Sequence, residues 1–128
     1  PILMRLKSDL VPVLLAATAG ELDTVELEWD RRAALGVVLA AAGYPQQPRH
    51  GDAITGLPGP LDDVVVFHAG TRAEGTELRT AGGRVLCVTA LAESVRLAQA
   101  RAYEVVRAIR FDGAQYRRDI GHRAIRPR

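Results

Sequence analysis

The sequence predicts an α+β fold whose strands form an antiparallel sheet. Short apolar runs bounded by glycine, proline and aspartate predict the strands, and a long apolar stripe at helical spacing predicts a helix that packs on them. At 128 residues the chain is long enough to bury a single core. The predicted order is a helix, two strands, a loop, three strands, a second helix and a basic tail, which is typical of an α+β domain.

The first helix is predicted over Asp9 to Ala19. Ser8 or Asp9 is suited to cap its N-terminus, and Pro12 then falls in the first turn, where its missing N–H has no partner in the helix anyway. Gly20 marks the end of the helix. The apolar stripe of this helix consists of Leu10, Val13, Leu14 and Ala17.

Two strands are predicted in the first half of the chain. Residues Val25 to Trp29 alternate between apolar and polar, which is typical of a half-buried strand. The run from Ala33 to Ala42 is almost wholly apolar, which indicates a strand buried on both faces. Gln46 to Asp63 holds too many prolines and glycines for a long regular element and predicts a loop.

The second half predicts three strands and the cleanest helix. Val64 to His68, Glu77 to Thr80 and Arg84 to Ala90 are separated by glycine-containing turns, so we expect an antiparallel meander. A helix is predicted from about Ala92 to Ile109 because apolar residues recur there in steps of three and four. This stripe consists of Leu91, Val95, Ala98, Ala102, Val105 and Ile109.

Composition excludes several classes of protein. The formal charge of +2 is too small to indicate nucleic-acid binding, and no apolar run reaches the roughly 20 residues that span a bilayer. The single cysteine, Cys87, lies in an apolar run and is expected to be a buried, unreactive thiol in a reducing compartment. We therefore expect a cytoplasmic protein that binds neither nucleic acid nor membrane.

Three residue clusters are candidates for binding a ligand. Gly82-Gly83-Arg84 places a guanidinium beside a turn with accessible N–H groups, an arrangement suited to phosphate, although a plain hairpin with a solvated arginine fits the same residues. Phe67 to Thr71 ends the strand expected to pair near Arg84, and the alternative there is a structural histidine. Tyr116 to Gly121 carries paired arginines that hold either an anion or another domain.

No catalytic residue and no metal ligand is predicted. The phosphate-binding loop, the HExxH motif, the nucleophile elbow and paired metal-binding Cys or His residues are all missing from the sequence.

Six motifs, in order along the chain, resemble the phosphoribosylamine–glycine ligase family, whose members belong to the ATP-grasp enzymes. The motifs are Met4-Arg5-Leu6-Lys7-Ser8-Asp9-Leu10, Gly43-Tyr44-Pro45, Ile54-Thr55-Gly56-Leu57, Val66-Phe67-His68-Ala69-Gly70-Thr71, Thr80-Ala81-Gly82-Gly83-Arg84-Val85-Leu86 and Tyr116-Arg117-Arg118-Asp119-Ile120-Gly121. The loop Gln46 to Gly51 departs from the family's pattern, which has a small acidic stretch and a lysine there.

The resemblance implies an enzyme of purine biosynthesis. Such a ligase uses ATP and Mg²⁺ or Mn²⁺ to activate glycine as an acyl phosphate and joins it to 5-phosphoribosylamine, releasing ADP and phosphate. The resemblance also implies that the chain begins after the family's metal site, so we expect a C-terminal fragment that is inactive alone. Its partners would be phosphoribosylamine, glycine and the remaining domains of the enzyme.

The resemblance also implies domain boundaries and site residues. Residues 1–22 would be the terminal helix of the ATP-grasp domain, and residues 23–128 the small C-terminal domain, a sheet or partial barrel. By similarity to related enzymes, the phosphorylated substrate would be bound by Arg84, His68, Gly70 and Thr71, and also by Arg5 and Lys7, which lie next to the implied metal site.

Two other functions fit the sequence. The basic tail from Arg117 to Arg128 is compatible with a free-standing module that binds anions or RNA, although few aromatic residues are available to stack on bases. A domain that serves only for packing is the other alternative.

Overall fold

The computed structural model describes residues 1–125 and contains four helices and six strands in that range. The helices are α1 (Ile2–Arg5), α2 (Leu10–Ala19), α3 (Val95–Ala108) and α4 (His122–Ile125), with a 3₁₀ turn at Leu22–Thr24. The strands are β1 (Ala33–Ala40), β2 (Ala53–Ile54), β3 (Val64–His68), β4 (Thr71–Glu74), β5 (Glu77–Thr80) and β6 (Arg84–Ala92). The α+β class predicted from the sequence is confirmed.

The main sheet is antiparallel, in the order β1-β6-β3. Its register places Val37 opposite Val88 and Val88 opposite Val66, so these side chains share one face of the sheet. Helix α3 covers that face. The core forms between α3 and this face of the sheet, and Leu39, Leu86 and Val88 are fully buried in it.

Helix α3 forms where the apolar stripe predicted it. Ser94 caps its N-terminus by accepting a hydrogen bond from the Leu97 N–H at 3.2 Å, which is why the helix begins at Val95. Ala98 and Ala102 are fully buried against the sheet, and their small side chains let the helix approach it closely.

The other face of the main sheet is largely open. Val38 on β1 is 41% exposed and Phe67 on β3 is 44% exposed, so the predicted two-sided burial of Ala33 to Ala42 was wrong for this chain. The N-terminal segment lies against part of this face, with Pro1 beside Gly36, but it leaves Val38 and Phe67 partly exposed. Cys87 shares the face and is half-buried rather than buried.

The predicted meander was also wrong, because β3 pairs with β6 and not with the strand that follows it. The N–H groups of Ala69 and Gly70 both donate to the Val85 carbonyl, at 3.0 and 3.1 Å, which turns the chain away from the main sheet. The residues 71–74, predicted to be a connection, then form β4, which pairs with β5 in a second three-stranded sheet of order β2-β5-β4.

Residues Val25 to Trp29 do not form the predicted strand. Their backbone meets residues 5–7, where Lys7 N–H donates to Glu28 O at 2.9 Å and Asp30 N–H donates to Arg5 O at 2.6 Å. The contact is an isolated bridge between Leu6 and Trp29, and Trp29 stays 40% exposed. The alternation in the sequence therefore has no neighbouring strand that would extend it into a ladder.

Helix α2 has the predicted bounds and caps, but it contacts little of the described chain besides the 3₁₀ turn at Leu22–Thr24. Asp9 accepts a hydrogen bond from Val11 N–H at 2.9 Å, and Gly20 ends the helix with a φ of 74°. None of its ten residues is buried, and Leu15 is 64% exposed.

Candidate functional site

The site is built where two backbone segments touch at the start of β6. A Cβ atom on Gly70 would lie 2.7 Å from Gly82 Cα and 2.7 Å from the Arg84 carbonyl oxygen, so a side chain has no room there. The contact is fixed by the Ala81 N–H, which donates to Gly70 O at 2.8 Å. The glycines therefore hold the turn before Arg84 against the end of β3.

The turn leaves hydrogen-bond donors free. Within residues 1–125, the N–H groups of Gly82 and Gly83 donate to no other group of the chain. Two adjacent free N–H groups at a glycine turn form a small concave site for an anion. Here they border an open cleft of about 620 Å³.

Tyr44 forms the opposite wall of this cleft. Its ring lies so close to Gly83 that a Cβ there would be 2.6 Å from Tyr44 Cδ2. Pro45 and Pro48 extend the wall, and the loop is closed by the Gln47 N–H donating to Gly43 O at 2.9 Å. This contact was not predicted, although Gly43-Tyr44-Pro45 was one of the motifs.

Arg84 is exposed and has no side-chain hydrogen bond or ion pair with any group of residues 1–125. It borders the 620 Å³ cleft and also a second cleft of about 390 Å³, and Tyr44 borders both as well. The second cleft is completed by Val38, Gln115, Tyr116 and Arg117. An unpaired guanidinium shared by two clefts is available for a ligand.

The other predicted site residues divide into two groups. Gly70 lines the Arg84 cleft, but His68 lines a different one of about 450 Å³, beside residues 57–61. His68 Nδ1 lies 3.1 Å from Thr71 Oγ1, so these two side chains face each other rather than Arg84. Their binding role stays a prediction.

Arg5 and Lys7 border neither cleft at Arg84. Arg5 Nε donates to Asp30 O at 3.0 Å, and Lys7 Nζ pairs with Glu28 at 3.0 Å. In this chain they hold the segment around Asp30, and their contact with substrate stays a prediction.

An ion-pair network ties that segment to the main sheet. Arg32 pairs with Asp30 and with Asp63, each at 2.8 Å, and Asp63 lies just before β3. Side-chain hydrogen bonds from Arg32, followed by its backbone N–H, lower the pKa of Asp30 from the ordinary 3.8 to about 2. The network lies outside the two clefts at Arg84 and joins the segment around Asp30 to the start of β3.

The loop from Gln46 to Gly51 is also held by an ion-pair network. Arg49 bridges Asp52 at 2.9 Å and Asp112 at 2.5 Å, and hydrogen bonding to both carboxylates raises the pKa of Arg49. Arg49 thus joins the loop to the segment after α3.

In residues 1–125, no group of three or more His, Cys, Asp or Glu side chains is arranged to hold a metal ion. Over the same range, no helix has the length and apolar character needed to cross a bilayer. Arg126 and Arg128 of the predicted basic tail lie outside the described residues, while Arg117 is paired with Asp119 at 2.6 Å.

Comparison with known proteins identifies the family. Residues 34–123 match the family described as phosphoribosylglycinamide synthetase, C domain. The chain belongs to this family. The resemblance found in the sequence motifs is therefore confirmed.

Relatives carry the same name in several bacteria. The chain is 60% identical over 126 residues to a phosphoribosylamine–glycine ligase of Ralstonia nicotianae, 55% identical over 126 residues to that of Vibrio vulnificus and 54% identical over 127 residues to that of Escherichia coli O157:H7. Each alignment covers 98% of this chain but 29% or 30% of the relative. The chain thus spans less than a third of the length of these relatives.

A solved structure shares the fold. The crystal structure of phosphoribosylamine–glycine ligase from Thermotoga maritima matches with a TM-score of 0.68 at 36% identity, over 83% of this chain and 27% of that one. Within the synthetase C-domain match lie Arg84, His68, Gly70 and Thr71, whereas Arg5 and Lys7 precede it.

Proposed function

We propose that this chain is the C-terminal part of an ATP-dependent phosphoribosylamine–glycine ligase, and that its glycine turn with Arg84 binds the phosphate of 5-phosphoribosylamine. The reaction joins glycine to the amine of that substrate and yields ADP and phosphate. The observation that carries the binding site is Arg84, whose guanidinium is unpaired within residues 1–125 and lies at the mouth of a cleft where the glycine N–H groups also have no partner in that range.

The chemistry of this site suits a phosphate dianion. A guanidinium presents parallel N–H donors that match two phosphate oxygens, and the backbone N–H groups of Gly82 and Gly83 supply further donors without the cost of ordering a side chain. Gly70 supports the site indirectly, because only glycine allows the backbone to pass behind Gly82. The role of the chain in the reaction is to hold the substrate's phosphate end.

The predicted domain boundary belongs to the same proposal. We assign residues 1–22 to the ATP-grasp domain and residues 23–128 to the C-terminal domain. The support is that α2 is composed of apolar side chains, threonine and proline, yet buries none of them against the described chain. A helix of this composition is stable in water when another surface covers it.

ATP, the divalent metal and glycine are assigned to other parts of the ligase. The described residues do not fit a magnesium centre, since they contain no cluster of three carboxylate, His or Cys side chains. The 128 residues are therefore expected to be inactive alone. A cytoplasmic location follows from the proposed role in purine biosynthesis.

The test is an assay of the natural full-length protein that contains these residues. It should release ADP only when glycine and phosphoribosylamine are both present, and the 128-residue chain alone should release none. No glycine-dependent ADP release from the full-length protein would refute the proposed reaction.

The Arg84→Ala variant tests the site and separates it from a packing role. Losing a charge-assisted contact of about 1.5 to 3 kcal/mol should raise the KM for phosphoribosylamine by roughly 10- to 100-fold, with the KM for ATP unchanged. Arg96→Ala is the matched control, because Arg96 is exposed on α3 and borders neither cleft. An unchanged KM for phosphoribosylamine in Arg84→Ala would favour the structural alternative.

A further inference from the structure

The end of β1 brings a second arginine to Arg84. Ala40 is the register partner of Arg84 on β6, and it also exchanges two backbone hydrogen bonds with Gln115, at 2.7 and 2.9 Å. Residues from the two sides of β1 thus meet at its end. The result is the 390 Å³ cleft in which Arg84 and Arg117 both take part.

The walls of this cleft carry positive charge and no acidic side chain. Its lining consists of the two arginines with Tyr44, Gln115, Tyr116 and Val38. The hydroxyl groups of Tyr44 and Tyr116 bond to no group of residues 1–125, so they are available as donors. The composition selects for an anion that also offers hydroxyl groups, as a sugar phosphate does.

The backbone that carries Arg117 is fixed by its neighbours, although the side chain itself is 71% exposed. Tyr103 Oη donates to the Arg117 carbonyl oxygen at 2.6 Å and accepts from Ile120 N–H at 3.1 Å, which fixes the backbone at both ends of this short segment. Gln99 Nε2 adds a hydrogen bond to Ile120 O at 2.7 Å. The segment is therefore anchored on α3.

Asp119 occupies only one edge of the Arg117 guanidinium. Its carboxylate accepts from Nε at 2.9 Å and from Nη2 at 2.6 Å, and Nη1 has no partner in the described chain. An arginine has five N–H donors, so the edge formed by Nη1 and Nη2 remains open to a second anion. Asp119 orients Arg117 and also weakens its attraction for other anions.

We infer that Arg117 is a second phosphate-binding arginine of this site, which holds the phosphate of a sugar phosphate together with Arg84 while Asp119 limits the affinity. This inference rests on the proposed function, because it extends the Arg84 site to a second residue. It also assigns the Tyr-Arg-Arg motif a ligand, where the sequence left a choice between an anion and another domain.

The test is the binding of ribose 5-phosphate, an unreactive analogue, to the natural full-length protein by isothermal titration calorimetry. Arg117→Ala should weaken binding by about tenfold, as expected for one charge-assisted contact. Asp119→Asn keeps an acceptor for Arg117 but removes the negative charge, so it should tighten binding by about threefold.

Arg118→Ala is the matched control, since it removes the same charge one residue away. Arg118 borders a different cleft, beside Gln99 and Arg107 on α3, so its loss should change binding by less than about twofold. Near-ultraviolet circular dichroism of each variant checks that the fold is kept.

The outcomes separate the two proposals. Unchanged binding in Arg117→Ala, an equal loss in Arg118→Ala, or no measurable binding of ribose 5-phosphate by the unsubstituted protein would overturn the role of Arg117. Glycine-dependent ADP release alongside any of these results would leave the ligase assignment standing. If the protein has no ligase activity but binds ribose 5-phosphate in a way that depends on Arg117, the role of Arg117 stands and the ligase assignment is refuted.

Discussion

Gly70 and Gly82 lie in backbone contact, and this contact places Arg84 at the mouth of its cleft. A Cβ atom on Gly70 would lie 2.7 Å from the Cα of Gly82, and a Cβ atom on Gly82 would lie 3.0 Å from the Cα of Gly70. The two residues follow strands of different sheets. Gly70 lies just after β3 of the main sheet, and Gly82 lies just after β5 of the second sheet. The site thus depends on how the two sheets join.

The contact predicts that Gly70→Ala destabilises the fold. The added methyl group must displace backbone rather than a flexible side chain, which should cost about 1 to 3 kcal/mol in the free energy of unfolding. Gly59→Ala is the matched control, because nothing lies within 4 Å of its Cβ position, and it should be neutral or slightly stabilising. Urea denaturation of both variants measures the difference, and equal stabilities would contradict the prediction.

The hydroxyl group of Tyr103 predicts a second effect, on stability and binding together. Tyr103→Phe removes both hydrogen bonds to the segment of Arg117 and leaves Ile120 N–H without its acceptor, which should cost about 1 kcal/mol. Because Arg117 is then less well oriented, ribose 5-phosphate binding should weaken by about threefold.

Tyr116→Phe controls for the loss of a hydroxyl group without a structural partner. The Tyr116 ring packs on Tyr103 with centroids 6.4 Å apart, and this contact survives the change. Its free energy of unfolding should stay within about 0.5 kcal/mol of the unsubstituted protein. A Tyr103→Phe variant that loses stability but binds ribose 5-phosphate normally would limit Tyr103 to a structural role.

Local patterns were sufficient to predict the two longer helices, α2 and α3, and the strands β1, β3, β5 and β6. The short elements α1, α4, β2 and β4 were not predicted. The stripe of α3 and the caps of α2 are read from neighbouring residues, so their bounds were nearly right. Residues Val25 to Trp29 show where this fails, because alternation indicates a strand only if another strand lies beside it. Nothing local in the sequence states that their partner is the short segment at Leu6.

The candidate site was predicted in part for the same reason. Gly82-Gly83-Arg84 is a local motif, and its chemistry could be read directly. The contact of Tyr44 with Gly83 and the approach of Arg117 to Arg84 depend on long-range pairing at Ala40, which no spacing along the chain reveals. The strand that ends at His68 does pair near Arg84, as expected, with His68 opposite Leu86, but the His68 side chain lines the cleft beside residues 57–61.

Because the chain is packed unevenly, the same Leu→Ala substitution should change the free energy of unfolding by very different amounts at two positions. Leu39 is fully buried between the sheet and α3, so Leu39→Ala should lower the free energy of unfolding by about 2 to 5 kcal/mol. Leu15 on α2 is 64% exposed, and Leu15→Ala should change the free energy of unfolding by no more than about 0.5 kcal/mol in the 128-residue chain. Thermal or urea unfolding of both variants distinguishes them. A large loss from Leu15→Ala would contradict the assignment of α2 to another domain.

The ion pair of Asp30 predicts a stability difference that depends on pH. Arg32 lowers the pKa of Asp30 to about 2, so the folded state binds this proton less readily than the unfolded state does. The stabilisation from Asp30 is therefore fully present above about pH 4 and is lost as the pH falls through about 2. Asp30→Asn removes it at every pH.

The measurement is the difference in free energy of unfolding between the unsubstituted protein and Asp30→Asn, taken from pH 7 down to the acid limit of folding. The difference should favour the unsubstituted protein at neutral pH and shrink steadily below about pH 4. Asp62→Asn is the control, since Asp62 is exposed and forms no ion pair within residues 1–125, and it should show no such trend. A difference that stays constant from neutral pH to pH 2 would mean that the charge of Asp30 does not stabilise the folded chain, and a difference near zero at every pH would mean that the amide makes equivalent hydrogen bonds to Arg32.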